Sequence, residues 1–275
     1  MGNIAANTDN VAVLVVSCDH YADLWLPFFH LFKRFWPDCP YSVYLLTNEK
    51  DFQFPDVSVI RTGIDVSWSD NLKMGLQQIR EKYILMIIDD LFLLKPVDTA
   101  MVIKICNTFV LLDGNYLRLN PTVRADKKFN KYFGEVSKGA IYRASTVLSL
   151  WKKCILAELL RPGESAWHFE IYGTNRSDAY DGFYATWEEW LSVINCVIKG
   201  KWRNKAFRKI RAFYPGVDLQ NRKTMSYSDQ FYFLLKVLRA NIFKIVPSKY
   251  RRYVKDFIVA GKYDYRLYKD TPRNQ

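Results

Sequence analysis

The stretch YILMIIDDLFLL, residues 83–94, decides how this chain is interpreted. Its first six residues are largely apolar and contain neither Gly nor Pro, which predicts a buried strand of a parallel sheet. Asp89 and Asp90 follow at the carboxyl end of that strand, where open α/β sheets bind ligands. Two adjacent carboxylates are costly to bury without a partner. The pattern favours a bound divalent cation with a phosphate beyond it, and a solvated turn is the alternative.

Short apolar runs alternate with amphipathic segments before this stretch. The predicted strands are residues 11–17, 41–47, 57–61 and 83–88, and the predicted helices are residues 24–35 and 71–81. Asp70 is the expected cap of the second helix. This β-α-β-β-α-β order is typical of nucleotide-binding domains. The predicted fold class is α/β, with a mixed, mostly parallel sheet flanked by helices.

The rest of the chain is predicted to add helices and two strands. The predicted strands are residues 116–120 and 139–143, and the predicted helices are residues 99–108, 145–160, 186–197, 228–244 and 248–259. A helix or tight turn is expected to begin at residue 164. We divide the chain into an α/β domain of residues 1–205 and a small, basic, helical appendage of residues 206–275.

The net charge of +12 is concentrated at one end of the chain. Residues 1–198 contain 20 basic and 23 acidic residues, a net charge of −3, whereas residues 199–275 contain 20 and 5, a net charge of +15. Aromatic residues are interleaved with these cations, and basic amphipathic helices of this kind fit interfacial membrane binding. Packing against the core or an oligomer contact is the alternative, and nucleic acid is the least favoured partner.

Several common signals are missing from the sequence. No run approaches the roughly 18 apolar residues of a transmembrane helix, and the first ten residues do not resemble a secretory signal. The five cysteines include no CxxC pair and are odd in number, which is typical of small buried residues in a reducing compartment. We expect a cytoplasmic chain, either free or peripheral on the inner face of the cytoplasmic membrane.

Longer runs of the sequence resemble GT-A glycosyltransferases. They cover residues 11–205 and include VLVVSCDHYADLW, YSVYLLTN, TGIDVSWSDNLKMGL, YILMIIDDLFLLKPVD, YRASTVLSLW, ESAWHFEIYGTNRS and VIKGKW. More narrowly, the chain resembles bacterial transferases of capsule and lipopolysaccharide gene clusters. The resemblance implies a GT-A-like fold and a metal-dependent, inverting, hexosyltransferase-type enzyme. Its donor would be a nucleotide-diphosphate sugar, and its acceptor a glycan or lipid-linked glycan. The sequence itself leaves inversion or retention open.

The resemblance also implies how the acidic pair is used. The family signature is Asp-x-Asp, whereas here Asp89 and Asp90 are adjacent. By analogy Asp90 is the better ligand for Mg²⁺ or Mn²⁺, and Asp89 would reach the ribose or a metal-bound water. Which of the two carboxylates contacts the metal directly stays open.

Donor-binding candidates follow from the same resemblance. Ser17 and Asp19 come after the first strand, at the edge that holds the base and ribose in GT-A proteins, and Asp19 is a candidate for a hydrogen bond to either. An ordinary turn residue is the alternative. Trp68 and Ser69 precede a helix at this edge, and Trp68 would stack on the base or line the donor pocket, or else be a core aromatic.

The segment ESAWHFE, residues 164–170, is the candidate acceptor side. An inverting transferase needs a carboxylate to take the proton of the attacking hydroxyl. We favour Glu170 slightly over Glu164 as this base. In the alternative, Glu164 caps a helix and Glu170 pairs with Arg176. Trp167 is a candidate sugar platform, and His168 is a candidate acceptor contact or metal ligand, although a lone histidine is more often structural.

Three further interpretations stay open. Lys199 and Lys201 would neutralise a diphosphate, or belong to a solvated basic linker. A nucleotidyltransferase also uses carboxylates at strand ends, but it usually carries a Gly-rich basic loop after the first strand, which SCDHYADLW lacks. A non-enzymatic membrane or nucleic-acid adaptor is the last alternative.

Overall fold

The structure is a computed structural model that describes residues 8–121, 124–216, 218–219, 221–243, 246 and 250–254. The strands, in chain order, are β1 Val11–Val16, β2 Ser42–Thr47, β3 Val57–Arg61, β4 Tyr83–Ile88, β5 Leu91–Leu93, β6 Tyr116–Arg118, β7 Lys127–Lys128, β8 Phe133–Glu135, β9 Ser149–Lys152, β10 Phe183–Thr186, β11 Val193–Asn195, β12 Val197–Ile198 and β13 Lys201–Trp202. The helices are α1 Ala22–Phe35, α2 Trp68–Gln78, α3 Thr99–Leu111, α4 Lys153–Leu159, α5 Ala166–His168, α6 Thr174–Arg176, α7 Asn204–Phe213 and α8 Tyr227–Phe243. A π-helical turn, Phe169–Gly173, joins α5 to α6.

Nine strands form one sheet in the order β3-β2-β1-β4-β9-β6-β10-β8-β7. Seven of them run in the same direction, and β8 and β9 run in the opposite one. The carboxyl ends of β1, β2 and β4 therefore lie at one edge of the sheet, and Asp89 follows β4 at that edge. The predicted α/β class with a mixed, mostly parallel sheet flanked by helices is confirmed.

Two apolar cores lie on opposite faces of this sheet, and β1 contributes to both. Val13 and Val15 pack with residues of α1 and α3, whereas Ala12 and Leu14 pack with residues of α2 and α4. Successive side chains of a strand point to opposite faces, so a central strand covered on both sides must be apolar at every position. All six residues of β1 are buried, which is why VAVLVV shows no polar alternation.

The order predicted for the first 90 residues is confirmed, with one correction at α2. The helix begins at Trp68, and Ser67 rather than Asp70 is its cap, because the Ser67 hydroxyl accepts a hydrogen bond from the Asp70 amide at 3.1 Å. The Asp70 carboxylate accepts from the Ser67 hydroxyl at 2.6 Å. The Ser67 hydroxyl therefore caps the helix by accepting from the N3 amide while it donates to the side chain of the same residue.

The predictions for the middle of the chain were partly wrong. Within the predicted helix 145–160, Ser149–Lys152 form β9, which pairs antiparallel with both β4 and β6. Leu150 and Trp151 face opposite cores, so an apolar run that suits a buried helix is equally suited to a central strand. The predicted helix 186–197 is also wrong, because its residues supply β11 and the start of β12, and β11 pairs with β5 just beyond Asp90.

The predicted strand 139–143 is a turn, which a buried arginine holds in place. Arg143 is 1% exposed. Its guanidinium donates to the carbonyl oxygens of Val136 at 3.0 Å, of Tyr180 at 2.9 Å and of Ser177, and it lies 4.1 Å above the Phe183 ring. Burial lowers the pKa of this group. Arg143 therefore fastens the turn to the segment before β10.

In the C-terminal part, α8 corresponds to the predicted helix 228–244, whereas α7 was not predicted. Trp202, Ala206 and Ile210 belong to the same core cluster as β1, so that cluster continues across the predicted boundary at residue 205. The domain division stays a prediction, and most of the predicted helix 248–259 lies outside the described residues. Of the described helices, none combines the length and apolar character needed to cross a bilayer. The five cysteines carry free thiols; Cys106 and Cys196 are buried, but Cys154 is exposed.

Replacing Arg143 with Met should lower the free energy of unfolding by about 3 kcal/mol, because three buried carbonyl oxygens lose a charged donor. Urea unfolding measures the change. Arg124→Met removes an exposed arginine and is the matched control, expected to change stability by less than about 0.5 kcal/mol. Equal effects of the two substitutions would contradict the anchoring role of Arg143.

Candidate functional site

The centre of the site is a hydrogen-bonded chain that ends on Asp89. The Trp25 indole donates to the Ser17 hydroxyl at 2.6 Å, and that hydroxyl donates to the Asp89 carboxylate. Asp89 is 4% exposed. Burial raises the pKa of Asp89 well above its usual value, the Ser17 hydrogen bond opposes that shift, and the charge of Asp90 adds to it. Ser17 and Asp89 therefore lie together, as the sequence analysis placed them.

Asp90 lies between β4 and β5 and is fixed by β11 and the residue after it. Its carbonyl oxygen accepts from the Cys196 amide at 2.7 Å, and its carboxylate accepts from the Asn195 side chain at 3.4 Å. Burial raises the pKa of Asp90 to about 6, and the hydrogen bonds to its carboxylate oppose that shift. Asn195 was not predicted, because the sequence gives no sign that residues 193–195 form a strand beside β5.

These residues fit a hard cation. Buried Asn195 Oδ1 has no hydrogen-bond partner among the described residues. An amide oxygen beside two carboxylates is a suitable donor set for Mg²⁺ or Mn²⁺, which commonly take one or two protein carboxylates and complete their shell with phosphate oxygens and water. In the described part of the chain there is no cluster of three or more His, Cys, Asp or Glu residues that would hold a metal without help from a ligand.

Asp19 is already engaged by the backbone. Its carboxylate accepts three amide hydrogen bonds at 3.0 Å, from Asn48, Glu49 and Lys50. Burial acts to raise the pKa of Asp19, but these bonds outweigh it and the pKa is lowered. Asp19 thus holds the turn after β2 against the end of β1. Its predicted contact with a base or ribose stays a prediction.

A cleft of about 810 Å³ opens beside Asp19. It lies between the turn after β1, the β12–β13 hairpin and the segment 221–223. Its cationic lining residues are Lys50, Lys199, Lys201, Arg222 and Lys223. Lys199 and Gly200 both have positive φ, 50° and 74°, as a tight two-residue hairpin requires. The fold therefore brings the predicted Lys199 and Lys201 to the edge that carries the acidic pair.

Arg222 connects this cleft to the acidic centre and was not predicted. Both oxygens of Asp23 accept from its guanidinium at 2.7 Å, and the His20 carbonyl oxygen accepts at 2.5 Å. The guanidinium carbon lies 4.3 Å from the centre of the Tyr21 ring. Burial raises the pKa of Asp89, and the charge of Arg222 partly opposes that rise. A residue 133 positions further along the chain than Asp89 thereby contributes to the same site, which sequence spacing could not show.

Trp68 and Ser69 lie at the start of α2, against the acceptor-side segment. The Trp68 ring is 5.5 Å from that of Phe169. The Ser69 hydroxyl donates to the Arg161 carbonyl oxygen at 2.5 Å and accepts from the Glu164 amide at 3.1 Å. Ser69 therefore joins α2 to the 161–164 loop. The predicted donor contacts of both residues stay predictions.

The two candidate bases differ in their surroundings. Glu164 is fully buried and receives two hydrogen bonds from Arg176, at 2.8 and 2.6 Å. The ion pair that the alternative interpretation gave to Glu170 therefore belongs to Glu164. Glu170 Oε1 accepts from the Ser145 hydroxyl at 2.6 Å, and from the Thr146 amide and hydroxyl, both at 3.1 Å.

Glu170 sits in the π-helical turn, a feature frequent at functional sites. The register of β9 aligns Ser149 with Met86 and Arg118, so residues 145–148 leave the sheet at the edge where Asp89 leaves it. Trp167, 71% exposed, and His168, whose ring is 6.0 Å from that of Tyr172, precede this turn. The acceptor-side segment and the acidic pair therefore share one edge of the sheet.

Two further residues beside Glu170 were not predicted. Arg118 is buried and donates to the Tyr142 carbonyl oxygen at 2.5 Å. Burial raises the pKa of Tyr142, the charge of Glu170 adds to that shift, and Arg118 opposes it. Tyr142 has a φ of 49°, in the left-handed region that non-glycine residues rarely adopt. Tyr142 begins the run YRASTVLSLW but was not singled out, and Arg118 lies outside the quoted runs, so only the packing of β6 against the turn places them beside Glu170.

Comparisons with known proteins give fold-level similarity only. No protein-family model matches the chain, and no curated protein has a significantly similar sequence. Among solved structures, S. aureus TarS 1-349 is 11% identical over 67% of this chain and 59% of that one, with a TM-score of 0.46. The complex of TarS 1-349 with UDP-GlcNAc is 11% identical over 77% and 68%, with a TM-score of 0.43. A197 from STIV is 13% identical over 69% and 86%, with a TM-score of 0.39. The first of these similarities spans less than two thirds of the TarS chain, and none of the three decides an activity.

Removing the charge of Asp90 should stabilise the metal-free protein in a pH-dependent way. The folded-state pKa of about 6 lies above the ordinary value of 3.8, so folding favours the protonated acid and stability is lost as the pH rises through 6. Asp90→Asn should raise the unfolding free energy by up to about 3 kcal/mol above that pH, and by nearly nothing below about pH 4. Urea unfolding in EDTA measures this, with exposed Asp51→Asn as control; a pH-independent difference would contradict it.

Proposed function

We propose that this chain is a glycosyltransferase that moves a sugar from a nucleotide-diphosphate-sugar donor to a glycan acceptor. The observation that carries the proposal is the pairing of an acidic centre with a basic cleft at the carboxyl edge of one sheet. Asp89, Asp90 and Asn195 offer oxygen ligands to a cation, and five Lys and Arg side chains line the neighbouring cleft. A nucleotide diphosphate would bind both parts of this edge, because its oxygens bind a divalent cation at the acidic centre and the lysines of the cleft.

In this proposal Asp90 and Asn195 Oδ1 hold Mg²⁺ or Mn²⁺, and Asp89 orients the ribose or a bound water. The cation, when bound, offsets the charge that develops on the leaving diphosphate. Lys199, Lys201 and Lys223 add positive charge from the other side of the cleft. Both halves stabilise the leaving group more strongly as its charge grows, which is what accelerates a transfer reaction.

Glu170 is the proposed base. Its surroundings support this choice, because the Ser145 and Thr146 hydrogen bonds to Oε1 fix the orientation of the carboxylate at the acceptor side. Glu164 is the weaker candidate, since both of its oxygens are held by Arg176. Trp167 is the proposed sugar platform, because its ring is exposed beside this segment and apolar ring faces suit sugar C–H groups.

The finer parts of the proposal concern the reaction and the acceptor. We propose an inverting, hexosyltransferase-type reaction whose acceptor is a bacterial surface glycan of the lipopolysaccharide or capsule kind, carried on a lipid. The protein would then act in the cytoplasm, with its basic C-terminal part in peripheral contact with the membrane. The resemblance in the sequence and the charge of +15 in residues 199–275 support this version.

Donor binding with Mn²⁺ is the first test. A ligand that binds only the folded chain stabilises it by about 2.7 kcal/mol at a hundred times its Kd, which for a chain of this size is a rise in Tm of roughly 5–10 °C. One class among UDP-, GDP-, CMP- and dTDP-sugars should produce this rise. EDTA or Asp90→Ala should abolish it, and Asp51→Ala should not. Unchanged donor binding and transfer in Asp90→Ala would refute the metal assignment.

The two glutamates should respond differently to replacement by glutamine. Glu170→Gln should lower turnover by about 10²–10⁴-fold, as loss of a general base does, and should keep the donor-induced rise in Tm. Glu164→Gln should instead lower the unfolding free energy by about 3 kcal/mol, since it breaks a buried ion pair. Assays of donor turnover and urea unfolding distinguish the two substitutions. Normal turnover in Glu170→Gln would remove this residue from the chemistry.

A further inference from the structure

Helix α8 carries an apolar stripe that the described part of the chain does not cover. Residues 227, 231, 234, 235 and 238 follow the spacing of one helical face. Their exposed fractions run from 45% for Leu235 to 93% for Tyr227. The group consists of Tyr227, Phe231, Leu234, Leu235 and Leu238. Contiguous exposed apolar surface of this kind marks an interaction site rather than ordinary surface.

The helix is attached to the body through a different face. Asp229 accepts from Lys201 at 2.7 Å, and the Arg203 guanidinium carbon lies 4.9 Å from the centre of the Phe233 ring. Positions 229 and 233 share one face, away from the stripe. Lys201 also lines the basic cleft. The stripe therefore points away from these anchoring contacts, on a helix whose first turn is tied to the proposed donor site.

The neighbouring helix α7 adds a basic surface. Its inner face is apolar, with Ala206 and Ile210 buried in the core. Its exposed charged side chains are all cationic: Lys205, Arg208, Lys209 and Arg211. Over residues 199–243 there are 11 basic and 2 acidic residues, a net charge of +9. One of the two acids, Asp229, is paired with Lys201.

We infer that α7 and α8 form a docking surface for an anionic lipid bilayer, with the α8 stripe inserted at the interface. Apolar side chains beside exposed cations are the combination that binds such surfaces, because burial of apolar area and attraction to lipid phosphates add together. A helix of 17 residues is about 25 Å long and can lie along the interface. Docking would hold the basic cleft near the lipid surface through the Lys201–Asp229 pair.

Charge argues against the other occupants of the stripe. A second copy of this chain would bring its own +9 segment against the first, and like charges across an interface are repulsive. Nucleic acid would be attracted to the cations of α7, but its phosphate backbone would not bury the leucine and aromatic side chains of the α8 stripe. This surface would make the membrane contact proposed above. The biological purpose of docking rests on the proposed function, but the docking itself does not.

Co-sedimentation of the full chain with vesicles tests the inference. Binding to vesicles of phosphatidylcholine with phosphatidylglycerol should be at least about tenfold tighter than binding to phosphatidylcholine alone, and should weaken with salt. Leu234→Ser with Leu238→Ser should reduce it by about tenfold or more. Leu111→Ser with Leu112→Ser, two exposed leucines at the end of α3, is the matched control and should bind normally.

The basic half of the surface has its own variant pair. Arg208→Glu with Lys209→Glu should reduce vesicle binding by about tenfold or more, since each cation near an anionic surface contributes roughly fivefold. Lys73→Glu with Arg80→Glu makes the same change in charge at two exposed positions, one within α2 and one just after it. This control pair should reduce vesicle binding much less. Equal losses in the two pairs would mean that net charge alone attracts the chain, and would overturn the assigned surface.

Other outcomes would also overturn the inference. The first two are a failure of the chain to bind the mixed vesicles and unreduced binding by the Leu234/Leu238 variant. The other two are a dimer in light scattering that this variant converts to a monomer, and retention on duplex DNA without vesicle binding. The donor-induced rise in Tm is measured on the same variants and should be unchanged. Vesicle binding without any donor response leaves the docking surface intact and refutes the transferase proposal, and the reverse result refutes docking alone.

Discussion

The burial of Asp89 at the end of a central strand is the constraint on which the rest of the site depends. A carboxylate there loses most of its hydration, and one serine hydroxyl, itself held by the Trp25 indole, is the hydrogen-bond donor that reaches it. Asp90 follows without a spacer; burial raises the pKa of both acids, and the charge of Asp90 adds to the rise at Asp89. The proposed cation would offset this charge, and the neighbouring elements that supply Ser17 and Asn195 converge on the acidic pair.

Positive charge reaches this edge from a part of the chain distant in sequence. The β12–β13 hairpin and the segment around Arg222 fold back onto the turn after β1, where Arg222 binds both oxygens of Asp23 and stacks on Tyr21. The C-terminal quarter thus contributes a wall of the cleft and is not merely an attached tail. The same quarter also contains α7 and α8, which carry the exposed cations and the apolar stripe. In the two proposals, this part of the chain binds a diphosphate on one side and an anionic lipid surface on the other.

On the acceptor side, Glu164 and Glu170 show how much the local environment decides the role of a residue. Both are buried glutamates in one short segment. Arg176 takes both oxygens of Glu164, which makes that side chain part of the scaffold. Glu170 is instead oriented by Ser145 and Thr146, which are neutral donors, and it forms no ion pair within the described part of the chain. The π-helical turn places it at the edge where the acidic pair emerges.

The sequence by itself determined the order of elements in the first 90 residues, because the central strands β1 and β4 are apolar at every position and the helices keep one apolar face. It also identified Asp89, Asp90, Lys199, Lys201 and the two glutamates as the residues with chemistry to explain. The tertiary structure alone decided that Ser149–Lys152 is a strand, since its pairing with β4 and β6 is non-local and an apolar run fits helix and strand equally well. It alone brought Asn195 and Arg222 to the acidic pair and gave Arg176 to Glu164. Asn195 lies 105 positions after Asp90 and Arg222 lies 133 positions after Asp89, so local spacing carries no record of their proximity, and the choice of Glu164 by Arg176 depends on how the intervening turns pack.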